Sequence, residues 1–103
     1  MDASQWVPHY PTNVADWDCD FMVFTGHKMC GPTGIGLLWG RRHLLDAMPP
    51  FLGGGSMIQN VTFEGFTPAD VPTRFEAGTQ PIAEIVGLHA AVDYLNAIGM
   101  EAI

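Results

Sequence analysis

The chain has 103 residues, 48% of them apolar, which is enough for the core of one small domain. Its formal charge of −7, with Lys28, Arg41, Arg42 and Arg74 as the only lysine and arginine residues, argues against a nucleic-acid surface. No apolar run is long enough to span a bilayer, and Met1-Asp2-Ala3 lacks the basic start and apolar core of a secretory signal, so the expected location is the cytoplasm.

Residues 7–11 read as an extended or turn segment, and residues 12–17 as one helical turn capped by Thr12 or Asn13. The apolar run over 21–24 predicts a buried strand and residues 35–39 a second, with Gly31-Pro32-Thr33-Gly34 supplying the turn between them. Residues 41–48 predict a short helix stopped by Pro49-Pro50. The stretch 51–73 is irregular: Gly53-Gly54-Gly55-Ser56, then a strand within 57–63, then a loop punctuated by glycine and proline. A loop this long in a compact domain is functional or disordered. From 81 to 98 the pattern is helical, Pro81 suiting the first turn and Gly99 the C-terminal cap. Ile82, Ile85, Val86, His89, Val92 and Leu95 are expected to form its core face. The class is α/β. Only two strands are secure, however, and three tryptophans and six phenylalanines exceed what so small a sheet can cover. Both features predict a piece of a larger domain.

Cys19 and Cys30 are expected to be reduced thiols, buried or half-buried. Together with His9, His27, His43 and His89 they show no paired metal-ligand spacing, so no metal site is expected. Lys28 carries more information, being the only lysine in the chain. Thr25-Gly26-His27-Lys28 follows the first predicted strand, which brings one amine to a strand end beside a histidine and a small hydroxyl. Asp2 and Gln5 lie upstream. An acid that can pair with a ring nitrogen and a lysine that can condense with an aldehyde are what pyridoxal phosphate asks of a protein. The amine must be deprotonated to react, which requires desolvation or cationic neighbours. Taken singly, each residue has a plainer reading: Asp2 and Gln5 as solvated surface groups, His27 as a satisfied loop histidine, Thr25 as a cap, Lys28 as an exposed charge. Their joint spacing is what favours a cofactor site.

That spacing resembles a known family. Asp2-Ala3-Ser4-Gln5, Asp18-Cys19-Asp20-Phe21, Thr25-Gly26-His27-Lys28, Gly31-Pro32-Thr33-Gly34-Ile35-Gly36, Met48-Pro49-Pro50-Phe51, Gly53-Gly54-Gly55-Ser56-Met57-Ile58 and Arg74-Phe75-Glu76-Ala77-Gly78-Thr79 look, in order, like the centre of a SufS-type cysteine desulfurase. The resemblance covers nearly the whole chain. It implies a homodimeric pyridoxal-phosphate enzyme of the class V aminotransferase superfamily, with residues 1–103 forming part of the large domain of the fold-type I α/β architecture. The N-terminal half of that domain and the C-terminal domain would lie outside the chain. By the same resemblance Lys28 would hold the cofactor and move the substrate Cα proton, while Asp2 would bond the pyridine nitrogen and Gln5 the ring oxygen. Thr25 (where the family more often has serine) and His27 would bind the phosphate, and Gly78 and Thr79 would reach the phosphate in the partner subunit.

The implied reaction converts L-cysteine to L-alanine and passes sulfur, as an enzyme persulfide, to an acceptor protein of iron–sulfur cluster assembly. The nucleophilic cysteine and the substrate-binding arginine that this needs fall beyond Ile103 in the family, and the ring-stacking histidine falls before Met1. Cys19 and Cys30 sit on other motifs, so the isolated chain is expected to be inactive. A selenocysteine lyase or another class V enzyme would share these residues. A non-enzymatic remnant and a small acidic interaction domain are the competing readings outside enzymology.

Overall fold

The computed structural model describes residues 1–103 and divides into two units, Met1–Gly40 with Pro81–Ile103, and Arg41–Gln80. No helix is long and apolar enough to cross a membrane.

In the first unit, β1 (Phe21–Thr25) and β2 (Gly36–Gly40) form an antiparallel hairpin, Phe21 opposite Gly40 and Thr25 opposite Gly36. The second strand therefore starts one residue later than the apolar pattern suggests. The start of the chain adds a short parallel partner: Asp2 bridges Val23, with the Ala3 amide donating to the Val23 carbonyl at 2.8 Å and the Val23 amide to the Met1 carbonyl at 3.0 Å. Residues 4–10 then turn, and a single 3-10 turn follows over Val14–Asp16. Asn13 caps that turn by accepting from the Ala15 amide at 3.1 Å, while the Thr12 hydroxyl donates to the Tyr10 carbonyl instead.

Between the hairpin strands the chain makes a 3-10 helix, Gly26–Met29, which the sequence did not suggest. In such a helix residues three apart stack on one side. Gly26 and Met29 accordingly face inward and are buried, while His27 and Lys28 face outward and are exposed. Cys30 ends the helix in the left-handed region at φ 64°. Its thiol is exposed rather than half-buried, because that cap position lies outside the packed face; Cys19 is half-buried, and neither cysteine forms a disulfide. A Cβ at Gly31 would lie 2.8 Å from the Gly26 carbonyl oxygen, so only glycine lets the chain return this closely across the turn.

α2 (Ile82–Ile98) backs the turn, and Gly99 (φ 88°) ends it as expected. Its buried residues are Leu88, Ala91 and Leu95. The core face predicted from the sequence is thus corrected: Leu95 belongs to it, but Ile82, Ile85, Val86, His89 and Val92 are exposed. The helix is apolar nearly all round, so periodicity alone could not pick the covered side. Met29, Leu88 and Leu95 form the core, with Val7, Phe24, Ile35 and Met100 packed against them. A Cβ at Gly87 would approach Pro32 Cγ to 3.2 Å, so this glycine brings the helix close to the loop after Lys28.

In the second unit, α1 (Arg42–Ala47) is the predicted short helix, with Arg42 paired to Asp46 at 2.8 Å. β3 (Ile58–Val61) pairs antiparallel with β4 (Phe66–Pro68), a strand absent from the sequence reading. Three residues ending in proline and preceded by glycine give little strand signal. Met57 is fully buried, and its carbonyl accepts from the Ala69 amide at 2.8 Å. The hairpin tip is apolar and open, with Val61 and Phe63 exposed. A 3-10 turn over Thr73–Phe75 follows.

Candidate functional site

Two strands that run parallel release their chains at the same edge. The segment carrying Asp2 and β1 are so paired, and each leads into a turn there: residues 4–10 after the first, Gly26–Met29 after the second. Sheets with parallel strands characteristically place ligands outside these carboxyl ends. Asp2, Gln5, Thr25, His27 and Lys28 therefore all lie on or just beyond one edge, although Asp2 and Lys28 are far apart in sequence.

Asp2 is exposed and accepts the Ser4 amide at 2.9 Å. The Ser4 hydroxyl, this amide and the Lys28 ammonium, in decreasing order of effect, hold its carboxyl below the ordinary carboxylate range. Asp2 is therefore a firm anion, suited to pairing with a protonated ring nitrogen. Thr25 Oγ1 and His27 Nδ1 are 2.8 Å apart and share a hydrogen bond, which ties the two side chains to each other within the motif that carries Lys28. Lys28 projects from the exposed side of its 3-10 helix. A carboxylate, an open amine and a hydroxyl–imidazole pair constitute a donor set that fits pyridoxal phosphate.

Gly78 and Thr79 belong to the other unit. Gly78 takes φ 91°, and its amide donates to the Gly55 carbonyl at 2.8 Å, so the glycine-rich loop pins the residue before Thr79. Arg74, just upstream, donates to the carbonyls of Ala69 and Asp46 at 3.1 and 3.2 Å, which makes it a brace within this unit.

Two contributors escaped the sequence reading. Ser4 lowers the pKa of Asp2, and the readable signal was an aspartate two residues before an amide it can capture. His9 contacts the Gln5 main chain, its Nδ1 lying 2.8 Å from the Gln5 carbonyl oxygen. No sequence pattern announces that bond.

The aminotransferase class-V family model matches residues 1–103. A probable cysteine desulfurase of Streptomyces coelicolor is 60% identical over 103 residues, covering 100% of this chain and 25% of its own length. The crystal structure of the Escherichia coli cysteine desulfurase CsdA, in its S-sulfonic acid form, superposes with a TM-score of 0.93 at 46% identity, over 98% of this chain and 25% of that one. A variant of C-DES with glycine covalently linked to its pyridoxal-phosphate cofactor superposes at 0.77 and 28% identity, over 92% of this chain and 25% of that one. The chain thus spans about a quarter of the length of the curated relatives it matches. Its architecture is the α/β, fold-type I one of these enzymes, in part. With the family model matched from the first residue to the last and the strand-edge constellation built from the motifs that suggested it, the chain belongs to the class-V aminotransferase family.

Proposed function

We propose that residues 1–103 form a central part of the cofactor-binding large domain of a cytoplasmic, homodimeric cysteine desulfurase. The rest of that domain and the C-terminal domain lie outside the chain. The complete enzyme converts L-cysteine to L-alanine and passes the sulfur, through a persulfide on a cysteine outside this chain, to an acceptor of iron–sulfur assembly. The observation that carries this reading is the convergence of Asp2 and the chain's only lysine at the carboxyl edge of two parallel-paired segments. The relatives' being cysteine desulfurases supports the substrate.

Bound pyridoxal phosphate supplies an electron sink for the substrate Cα. The chain's own residues bind and orient it and move a proton. Lys28 would hold the cofactor covalently and, once the substrate amine displaces it there, its freed amine would take and return the proton at the substrate Cα. Asp2, already ionised, pairs with the protonated pyridine nitrogen and keeps it protonated. The Gln5 side chain donates to the ring oxygen. Thr25 and His27, locked to each other, hold the phosphate. Gly78 and Thr79 serve the phosphate of the partner subunit's site. Cys19 and Cys30 take no part in sulfur transfer, and the isolated chain has no desulfurase activity.

The test is borohydride reduction of the complete polypeptide with pyridoxal phosphate, followed by peptide mass mapping. Label on the peptide containing Lys28 is the expected result. Label confined to other lysines would overturn the assignment.

A further inference from the structure

Pro8 has no amide proton, so the turn over residues 4–10 cannot run a continuous main-chain ladder through it. The Trp6 and Val7 amides both donate to the Ala3 carbonyl, and the His9 and Tyr10 amides both donate to the Trp6 carbonyl. The Gln5 carbonyl, between those acceptors, receives no main-chain amide. The His9 ring serves it instead, Nδ1 donating across 2.8 Å. A carbonyl only accepts, so Nδ1 must carry a proton. Both the neutral Nδ1–H tautomer and the imidazolium satisfy this. What it fixes is the peptide plane that follows Gln5, and hence the direction in which the Gln5 side chain leaves the backbone. Aromatic neighbours stiffen the same turn: the Trp6 and Tyr10 rings lie 4.4 Å apart, Trp6 meets Trp17 edge-on at 5.7 Å, and Tyr10 lies 6.5 Å from the His9 ring.

We propose that His9 is a positioning residue for Gln5: its ring replaces the amide that Pro8 lacks and aims the Gln5 side chain at the oxygen of the bound cofactor ring. The inference rests on the role of Gln5 given above. It assigns His9 no contact with substrate or cofactor.

The test uses the complete polypeptide loaded with pyridoxal phosphate, and reads the pH midpoint of the bound cofactor's visible absorbance rather than turnover. A hydrogen bond to the ring oxygen tunes that ionisation, and its loss is worth about half a pH unit. Q5A should shift the midpoint by about that amount, and H9F should shift it in the same direction. H9N, whose amide nitrogen occupies the Nδ1 position, should restore the wild-type value. The double variant Q5A/H9F should shift no further than Q5A alone. A silent H9F beside a shifted Q5A would overturn the inference and leave the Gln5 role standing. A shift in H9N equal to that in H9F would also overturn it, since the hydrogen bond would not be the agent. A silent Q5A would remove the Gln5 role, and this inference with it. Should H9F fail to fold, H9L allows the same comparison.

Discussion

Asp2 and Val23 form a parallel bridge, held by the Ala3 amide on the Val23 carbonyl and the Val23 amide on the Met1 carbonyl. This contact puts the acid and the amine on one edge. Val23 lies within β1, whose far end leads directly into the turn bearing Lys28. Moving either partner by one position would turn its side chain to the opposite face.

The charge of Asp2 should depend on its neighbours. Its carboxyl titrates below the ordinary value of 3.8, first through the Ser4 hydroxyl and then through the Ser4 amide. A carboxylate with a depressed pKa contributes stability that is complete above the unfolded pKa and is lost as pH falls through the folded one. Asp2 is therefore charged throughout the neutral range, and its contribution disappears only in strong acid. Carboxyl carbon NMR should show S4A raising the Asp2 midpoint toward 3.8, with a smaller rise in K28M. An unmoved midpoint in S4A would contradict this account.

The Thr25–His27 hydrogen bond should matter to cofactor retention. Replacing Thr25 with valine removes the hydroxyl while keeping the shape, so both its bond to His27 and its proposed bond to the phosphate are lost. A hydrogen bond to a charged group is worth about 1.5–3 kcal/mol, so cofactor binding should weaken by about 10-fold or more. Titrating the apo form of the complete polypeptide with pyridoxal phosphate would measure this. T25S should bind like the wild type.

Leu88 and Ile82 sit on the same helix and should behave differently. Leu88 is 8% exposed and packs with Met29 beneath the Lys28 turn, whereas Ile82 is 66% exposed. L88A should lower hydrogen-exchange protection at the Gly26 and Gly31 amides by about 2–4 kcal/mol. I82A should change it by less than about 0.5 kcal/mol within this chain.

Gly31 tolerates no side chain without a shift in the turn. An added Cβ would meet backbone oxygen at 2.8 Å, and that atom cannot swing aside as a flexible side chain would. G31A should cost about 1–3 kcal/mol in local stability and reduce borohydride labelling at Lys28. A fully labelled, fully protected variant would show that the close return is not required.

The isolated chain should bind a hydrophobic dye and form no alanine from L-cysteine with added pyridoxal phosphate. Leu38, Phe51, Leu52, Phe63 and Val86 are exposed and apolar, the kind of side chain to which such a dye binds. A dye-silent chain that releases alanine would overturn the proposal that catalysis needs residues outside it.

Much of the fold was legible where one local cause acts alone. β1 reads from four successive apolar residues, and α2 from Pro81 at its start and Gly99 at its end. The Lys28 motif was legible as well, because only one lysine exists to place. Other features depend on tertiary context. The 3-10 helix at Gly26 buries Met29 against Leu88, and β4 is recognised only by its pairing with β3, Phe66 lying opposite Val61. The covered side of α2 was illegible because the side chains on both of its sides are apolar. The hydrogen bond from His9 follows from the amide that Pro8 lacks, a backbone consequence with no residue pattern of its own.

The dependence of Met29 on Leu88 also sets an order of events at the ribosome. The hairpin of β1 and β2 is local and can close within microseconds of its synthesis. The helix that supplies Leu88 emerges only after the whole second unit has been made. Through that interval the turn bearing Lys28 lacks its backing, its methionine open to water. Cofactor capture should therefore come late in biogenesis, after α2 has left the exit tunnel.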